Sequence, residues 1–160
     1  DPATILKADH REAKRLLNAL AESDEGSERE TMANELNDAL TLHMEIEERI
    51  LYPVVARELG ADDVEEAEIE HGLARNGLAT LMSMVEKPGF GASVEMLKGG
   101  ILHHVEEEET EILPELKSSL ERSEWLALGD AIAEAKAAAG KPVPSAPRRR
   151  SGKRKSASRR

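Results

Sequence analysis

The chain has 160 residues, with 32 acidic and 22 basic side chains and a formal net charge of −10 at pH 7. Its length suits one domain with a sizeable core, and no apolar run approaches the roughly 18 residues of a membrane span. Because the chain has no cysteine, disulfides, thiolate-bound zinc and iron–sulfur clusters are excluded. We therefore expect a soluble protein without a membrane partner, located in the cytoplasm.

Helix-forming residues dominate the apolar positions, and the chain has one Trp, one Tyr and one Phe, which favours helices packed on helices. Capping and turn signals divide it into four long helices and a short fifth. Asp1 and Pro2 are predicted to open the first helix, and Ser27 with Glu30 forms a predicted capping box for the second. The predicted ranges are residues 1–22, 27–59, 63–87, 93–120 and 123–139. Short loops between long helices predict an all-α, up-down-up-down four-helix bundle within a domain spanning residues 1–140.

The C-terminal segment has a different composition. Residues 141–160 contain nine Lys or Arg and no Asp or Glu, which leaves 13 basic against 32 acidic residues in the rest of the chain. A segment so charged and so poor in apolar residues predicts a disordered basic tail. It lacks the aromatic residues that stack on nucleic-acid bases, so we expect at most a nonspecific anionic partner.

A repeat with an offset of 61 positions is the strongest functional signal in the sequence. It relates two histidines and a glutamate in each half of the chain, and Leu17 and Leu20 correspond to Leu78 and Leu81. The repeated polar residues are His10, His43, Glu47, His71, His104 and Glu108.

Helical periodicity places each of these six residues on the apolar stripe of its helix. In the second helix, for example, the predicted stripe runs through Leu40, His43, Glu47, Ile50 and Val54. A single histidine there would most simply be a hydrogen-bonded core residue. Six related residues on four facing stripes instead favour metal ligands, because buried polar groups without partners cost several kcal/mol each.

The donor set restricts the choice of metal. Imidazole and carboxylate without thiolate suit iron first, with manganese or zinc less favoured. Each half supplies two His and one Glu, the donors of a facial triad on non-haem iron. If each Glu bridges instead, two divalent ions carry more charge than Glu47 and Glu108 neutralise, which favours an oxo or hydroxo bridge.

Several neighbouring residues receive less weight. His103 has no histidine counterpart at the repeat offset and is interpreted as a non-ligand, and Tyr52 is expected mainly to pack, with redox or proton chemistry as an alternative. Two prolines, Pro53 and Pro114, predict a kink or local break six residues after each repeated Glu. Four further acids lie off the stripe and are expected at the surface, although two of them, Glu48 and Glu109, can reach the site if the helix distorts; the four are Glu45, Glu48, Glu106 and Glu109.

The combined motif, with Glu-Glu and a proline after each His-x-x-x-Glu, resembles the hemerythrin-like proteins that carry the HHE cation-binding domain, over about residues 1–120. The resemblance implies a four-helix bundle with a non-haem di-iron centre. It implies that His10 and His43 bind one iron, that His71 and His104 bind the other, and that Glu47 and Glu108 bridge them, the pairing that the repeat also suggests.

One difference from that family bears on function. Oxygen-carrying hemerythrins have a fifth histidine one turn from another on the third helix, whereas the residue four positions after His71 is Arg75. The two irons are therefore expected to be more nearly equivalent, and reversible oxygen carriage does not follow from the resemblance.

Three interpretations of function remain open. The chain is a di-iron module that binds or senses O2 or NO, an enzyme that decomposes or reduces hydrogen peroxide in a catalase-like manner, or an iron-handling or structural protein. No catalytic residue is assigned, and a monomer or weak oligomer is expected.

Overall fold

The computed structural model of the protein describes residues 1–141 and residue 143. The predicted disordered tail therefore lies, apart from Lys141 and Val143, outside the described residues. Within the described part no helix is both long enough and apolar enough to cross a membrane. The α-helices are α1 Pro2–Ala21, α2 Ser27–Ile46, α3 Tyr52–Leu59, α4 Asp62–Ser83, α5 Phe90–Glu107, α6 Leu113–Ser119 and α7 Arg122–Ala138.

Four long helices form the bundle. α1 packs against α2 and α5, and α4 packs against α5 and α2. α3 and α6 continue α2 and α5 beyond a π-helical turn in each, and α7 packs against α1 and α2. The predicted all-α bundle with a short C-terminal fifth helix is confirmed.

The helix starts show where the local prediction was right and where it was wrong. The Asp1 side chain accepts a hydrogen bond from the Thr4 amide at 3.2 Å, as predicted. The capping box at Ser27 and Glu30 is wrong, because Gly26 occupies the cap position and Ser27 is already helical. A capping box is found instead at Glu121 and Glu124, at the start of α7. Phe90, three residues ahead of the predicted position, begins α5.

The break predicted near the prolines takes the form of a π-helical turn before each of them, Glu47–Leu51 and Glu108–Ile112. Each turn begins at a repeated Glu. The additional residue shifts the inward face, so that Leu51 and Val55 are buried whereas Ile50 and Val54 are only half-buried. The predicted stripe through Ile50 and Val54 is therefore wrong by one position.

The core consists of two apolar clusters. One lies among α1, α2, α4 and α5 and includes Leu17, Leu36 and Leu81. The other is centred on α3, α6 and α7 and includes Leu116 and Ile132. Along α1, His10 lies between Leu6 of the second cluster and Ala13 of the first, so a polar layer separates the two.

Candidate metal centre

All six predicted ligand residues meet in this polar layer. Each is nearly inaccessible, with at most 6 % of its surface exposed. One histidine comes from each of α1, α2, α4 and α5, and the two glutamates are the first residues of the π-helical turns. The sequence repeat therefore corresponds to a single cluster of side chains in the structure.

One half of the cluster is formed by His10 and His43. Their Nε2 atoms are 3.1 Å apart, and His43 Nε2 lies 2.8 Å from Glu47 Oε1. Glu108 Oε2 approaches His10 Nε2 at 3.5 Å. These four residues bring one donor atom each within 4.8 Å of the others, as a shared ion requires.

The second half is formed by His71 and His104. Their Nε2 atoms are 3.2 Å apart, and His71 Nε2 lies 3.1 Å from Glu47 Oε2. Because Oε1 of Glu47 faces His43 and Oε2 faces His71, this carboxylate lies between the two halves. Glu108 Oε2 is 3.6 Å from His104 Nε2 and also approaches both halves.

The donors fit a pair of cations. Within the described residues, three buried carboxylate oxygens have no hydrogen-bond partner: Glu47 Oε1, Glu108 Oε1 and Glu108 Oε2. Leaving such atoms unpaired is costly, whereas a cation would satisfy them. Two nitrogens bound to one metal at about 2.1 Å lie roughly 3.0 Å apart at a right angle, close to both observed Nε2–Nε2 separations.

A second carboxylate contacts the other nitrogen of every imidazole. Glu109 lies 2.8 Å from His10 Nδ1 and Glu48 lies 2.9 Å from His71 Nδ1. Of the two expectations for Glu48 and Glu109, surface exposure is wrong and the alternative, that they reach the site where the helix distorts, fits the structure: with 27 % and 26 % of their side chains exposed, they contact histidines of neighbouring helices.

The other two carboxylates that contact an Nδ1 atom are Asp9, 3.3 Å from His43 Nδ1, and Glu70, 2.6 Å from His104 Nδ1. We call these four residues, Asp9, Glu48, Glu70 and Glu109, the outer carboxylates. Sequence reasoning missed Asp9 and Glu70. A signal for them existed, because each immediately precedes a repeated histidine and the two are related by the same offset of 61 positions.

Tyr52 contacts the buried cluster and has no tyrosine counterpart in the second half of the repeat. Its hydroxyl is 3.0 Å from His71 Nε2 and 3.4 Å from Glu47 Oε2, whereas the corresponding residue in the second half is Leu113. Burial, together with the charges of Glu47 and Glu108, raises the pKa of this phenol well above its usual value. In the metal-free protein Tyr52 is therefore a neutral hydrogen-bond donor.

The remaining candidates lie outside the buried cluster. Glu45 and Glu106 are exposed, as expected. His103 is 61 % exposed, with its Nε2 3.4 Å from Glu70 Oε1, and does not join the six central residues. Arg75 forms a bidentate pair with Glu48, with N–O distances of 2.8 and 2.9 Å.

A cavity of about 1460 Å³ reaches all four histidines. Its walls are mainly apolar and include Leu16, Leu40, Leu97 and Ile101. Exposed Met96 also lines it, so the cavity connects the centre with the surface between helices. A small uncharged ligand therefore has a route to the histidines.

The sequence model of the hemerythrin HHE cation-binding domain matches residues 1–116. The chain belongs to this family. It is also similar to a hemerythrin HHE cation-binding domain-containing protein, an Rv2633c homologue from Mycobacterium kansasii, known from a crystal structure. The two are 25 % identical, each is covered over 88 % of its length, and the TM-score is 0.75. Comparison with curated proteins gives no significant match.

Proposed function

We propose that this HHE-domain protein is a non-haem di-iron protein that binds or processes a small oxidant: dioxygen, nitric oxide or hydrogen peroxide. The observation that carries the proposal is the pairing of Nε2 atoms around a shared carboxylate, His10 with His43 and His71 with His104, with Glu47 between them. Family membership supports cation binding, and imidazole with carboxylate favours iron over manganese or zinc.

In the proposed centre His10 and His43 would hold one ion and His71 and His104 the other, and Glu47, whose two carboxylate oxygens face the two histidine pairs, would contribute to both. Glu108, the other proposed bridging residue, completes the set. When bound, the ions supply redox and Lewis-acid chemistry. The outer carboxylates fix the imidazole rings with Nε2 directed inward, and the apolar cavity admits small ligands while limiting bulk water.

A peroxide-decomposing enzyme is a second candidate, and Tyr52 favours it. Its neutral hydroxyl is held beside His71 Nε2 and Glu47 Oε2, where it can donate a hydrogen bond to a small molecule bound at the centre. A carrier or sensor has less need of such a donor. Cytoplasmic location, a monomer or weak oligomer, and an anionic partner for the tail stay predictions from the sequence.

The first experiment measures metal content and the absorption spectrum of full-length protein from iron-replete cells. We expect two irons per chain and visible bands that change with peroxide. Glu47→Ala should lose most of the iron from both positions, since both halves use this residue, whereas Glu45→Ala, with an exposed side chain two positions away, should retain it. A colourless protein with one zinc would overturn the di-iron proposal.

The second experiment separates the two candidates. Bands that appear and vanish on gas exchange, without oxygen release from peroxide, indicate a carrier or sensor. Oxygen release that is abolished in His104→Ala indicates an enzyme. Tyr52→Phe should retain iron and lower the rate of oxygen release; an unchanged rate would remove the role proposed for the Tyr52 hydroxyl.

A further inference from the structure

The fifth helix contributes one side chain to the surroundings of the centre. Lys136 of α7 is only 6 % exposed, an unusual position for a lysine. Its Nζ forms an ion pair with Asp9 Oδ1. A buried ammonium requires such a partner, so α7 is anchored to α1 at the residue that precedes His10.

The same carboxylate contacts a proposed metal ligand. Asp9 Oδ2 lies 3.3 Å from His43 Nδ1, which forms the series Lys136, Asp9, His43. A carboxylate that accepts the Nδ1 proton makes the imidazole a stronger metal donor. A lysine behind that carboxylate neutralises part of its charge and opposes this effect.

The equivalent contact in the other half lacks a buried cation. Glu70 lies 2.6 Å from His104 Nδ1, and among the described residues no lysine or arginine forms a salt bridge with it. Arg75 does stand behind Glu48 and His71, but it is 41 % exposed, so water screens its charge. Among the cations that stand behind the outer carboxylates, Lys136 is therefore distinguished by its burial.

We propose that Lys136 is a positioning residue that acts through Asp9: it weakens the outer carboxylate of His43, so that the half-site of His10 and His43 binds its metal ion less tightly than the half-site of His71 and His104. The inference rests on the two-metal centre proposed above. Although α7 contains none of the six central residues, it would thus determine the difference in metal affinity between the two half-sites.

Zn²⁺ is a suitable probe because it binds the same donors and permits NMR. The full chain is titrated with Zn²⁺ by calorimetry, and ¹⁵N shifts of the imidazoles report which histidines bind first. In the wild type, His71 and His104 should respond before His10 and His43. In Lys136→Met the affinity of the His43 half-site for Zn²⁺ should rise roughly tenfold, the lower end of the range for mutations of residues that contact a metal ligand. The two half-sites should then fill at similar Zn²⁺ concentrations.

Matched variants test whether the effect passes through Asp9. Asp9→Asn should change affinity in the opposite direction, with a loss of about 10–100-fold at the His43 half-site. Lys136→Met should have no further effect in the Asp9→Asn background, and Lys136→Arg should retain the wild-type order. Arg75→Met, which removes the partly exposed cation of the other half, should leave the His43 half-site unchanged.

The outcomes are distinguishable. A wild-type chain that takes up fewer than two Zn²⁺ ions would overturn the two-metal centre and this inference with it. Two ions bound in unchanged order by Lys136→Met would overturn only the role of Lys136. A loss of affinity in Lys136→Met that matches the loss in Asp9→Asn would show that the lysine merely supports Asp9 and would also overturn the inference.

Discussion

Each histidine of the centre has carboxylates near both ring nitrogens, and at His10 and His43 these carboxylates raise the pKa in the metal-free protein. Burial lowers the pKa of His43, but the negative charge of Glu47 and the contacts of the two ring nitrogens with the Asp9 and Glu47 carboxylates outweigh it, and the pKa rises to about 10. Burial also lowers the pKa of His10, but the nearby Glu108 and Glu47 carboxylates outweigh it, and this pKa rises to about 9. Without metal the surrounding carboxylates therefore favour protonation of the His10–His43 pair.

In the metal-free protein the pKa values of Glu47 and Glu108 are shifted in opposite directions. Burial raises the pKa of Glu47, but the charge of His43 and the contacts with the imidazoles of His10, His104 and His43 outweigh it, leaving that pKa well below the usual value. Burial and the neighbouring Glu47 charge raise the pKa of Glu108. Protons on the histidines thus occupy the positions proposed for metal ions, and metal uptake must displace them.

The metal-free protein should therefore lose stability as the pH rises. A histidine whose folded pKa exceeds its unfolded value of about 6.5 stabilises the fold fully below pH 6.5 and loses that contribution up to its folded pKa. Between pH 7 and 10 the melting temperature of chelator-treated protein should fall by at least about 5 °C, as measured by circular dichroism.

Metal-loaded protein is the control for this prediction. It no longer binds those protons, and its ligands compete better for metal at higher pH, so its melting temperature should not fall between pH 7 and 9. A metal-free protein whose melting temperature is flat or rises over the same range would contradict the proposed protonation.

At the scale of elements, the two π-helical turns determine which side chains face the centre. The Tyr52 amide donates to Glu47 O, five residues earlier, and the following Pro53 has no amide hydrogen to donate. In a π turn, residues five apart share a face, which places both Glu47 and Tyr52 inward. The equivalent turn is closed by the Leu113 amide and Glu108 O.

A matched pair of substitutions tests this register. Val55 is buried and Val54 is half-buried, the reverse of what a regular helix through Glu47 predicts, because at about 100° per residue the seventh residue after Glu47 lies about 20° from its face and the eighth about 80°. Val55→Ala should lower the free energy of unfolding by about 2 kcal/mol, and Val54→Ala by about 1 kcal/mol or less, in urea titrations of metal-free protein. A larger loss for Val54→Ala would indicate a regular helix instead.

The same elements show how far sequence reasoning extends. The helix number, the bundle and the convergence of the six repeated residues followed from periodicity and from the offset of 61. The π turns did not, because a proline specifies only a missing hydrogen bond, and packing decides how the helix accommodates it. Glu48 was consequently placed at the surface by a regular helical projection, although it contacts His71.

At the scale of the whole molecule, the centre is a polar layer between two apolar clusters. Because those clusters bury side chains from every long helix, we expect the helices of the bundle to form without metal. The layer itself contains carboxylate oxygens without hydrogen-bond partners among the described residues, so metal should add stability to a fold that already exists.

Removal of metal should therefore lower the melting temperature without unfolding the chain at 25 °C. An ion present at 100 times its Kd stabilises the native state by about 2.7 kcal/mol, and each kcal/mol shifts the melting temperature of a protein of this size by roughly 2–4 °C. Two ions should together raise it by at least about 10 °C, with little change in far-ultraviolet circular dichroism at 25 °C.

Glu47→Gln should remove most of this difference in melting temperature between loaded and chelated protein, because Glu47 faces both histidine pairs, whereas Glu45→Gln should preserve it. Equal melting temperatures with and without metal would contradict binding in the buried layer, and loss of helicity on chelation would show that the two apolar clusters are insufficient to hold the bundle.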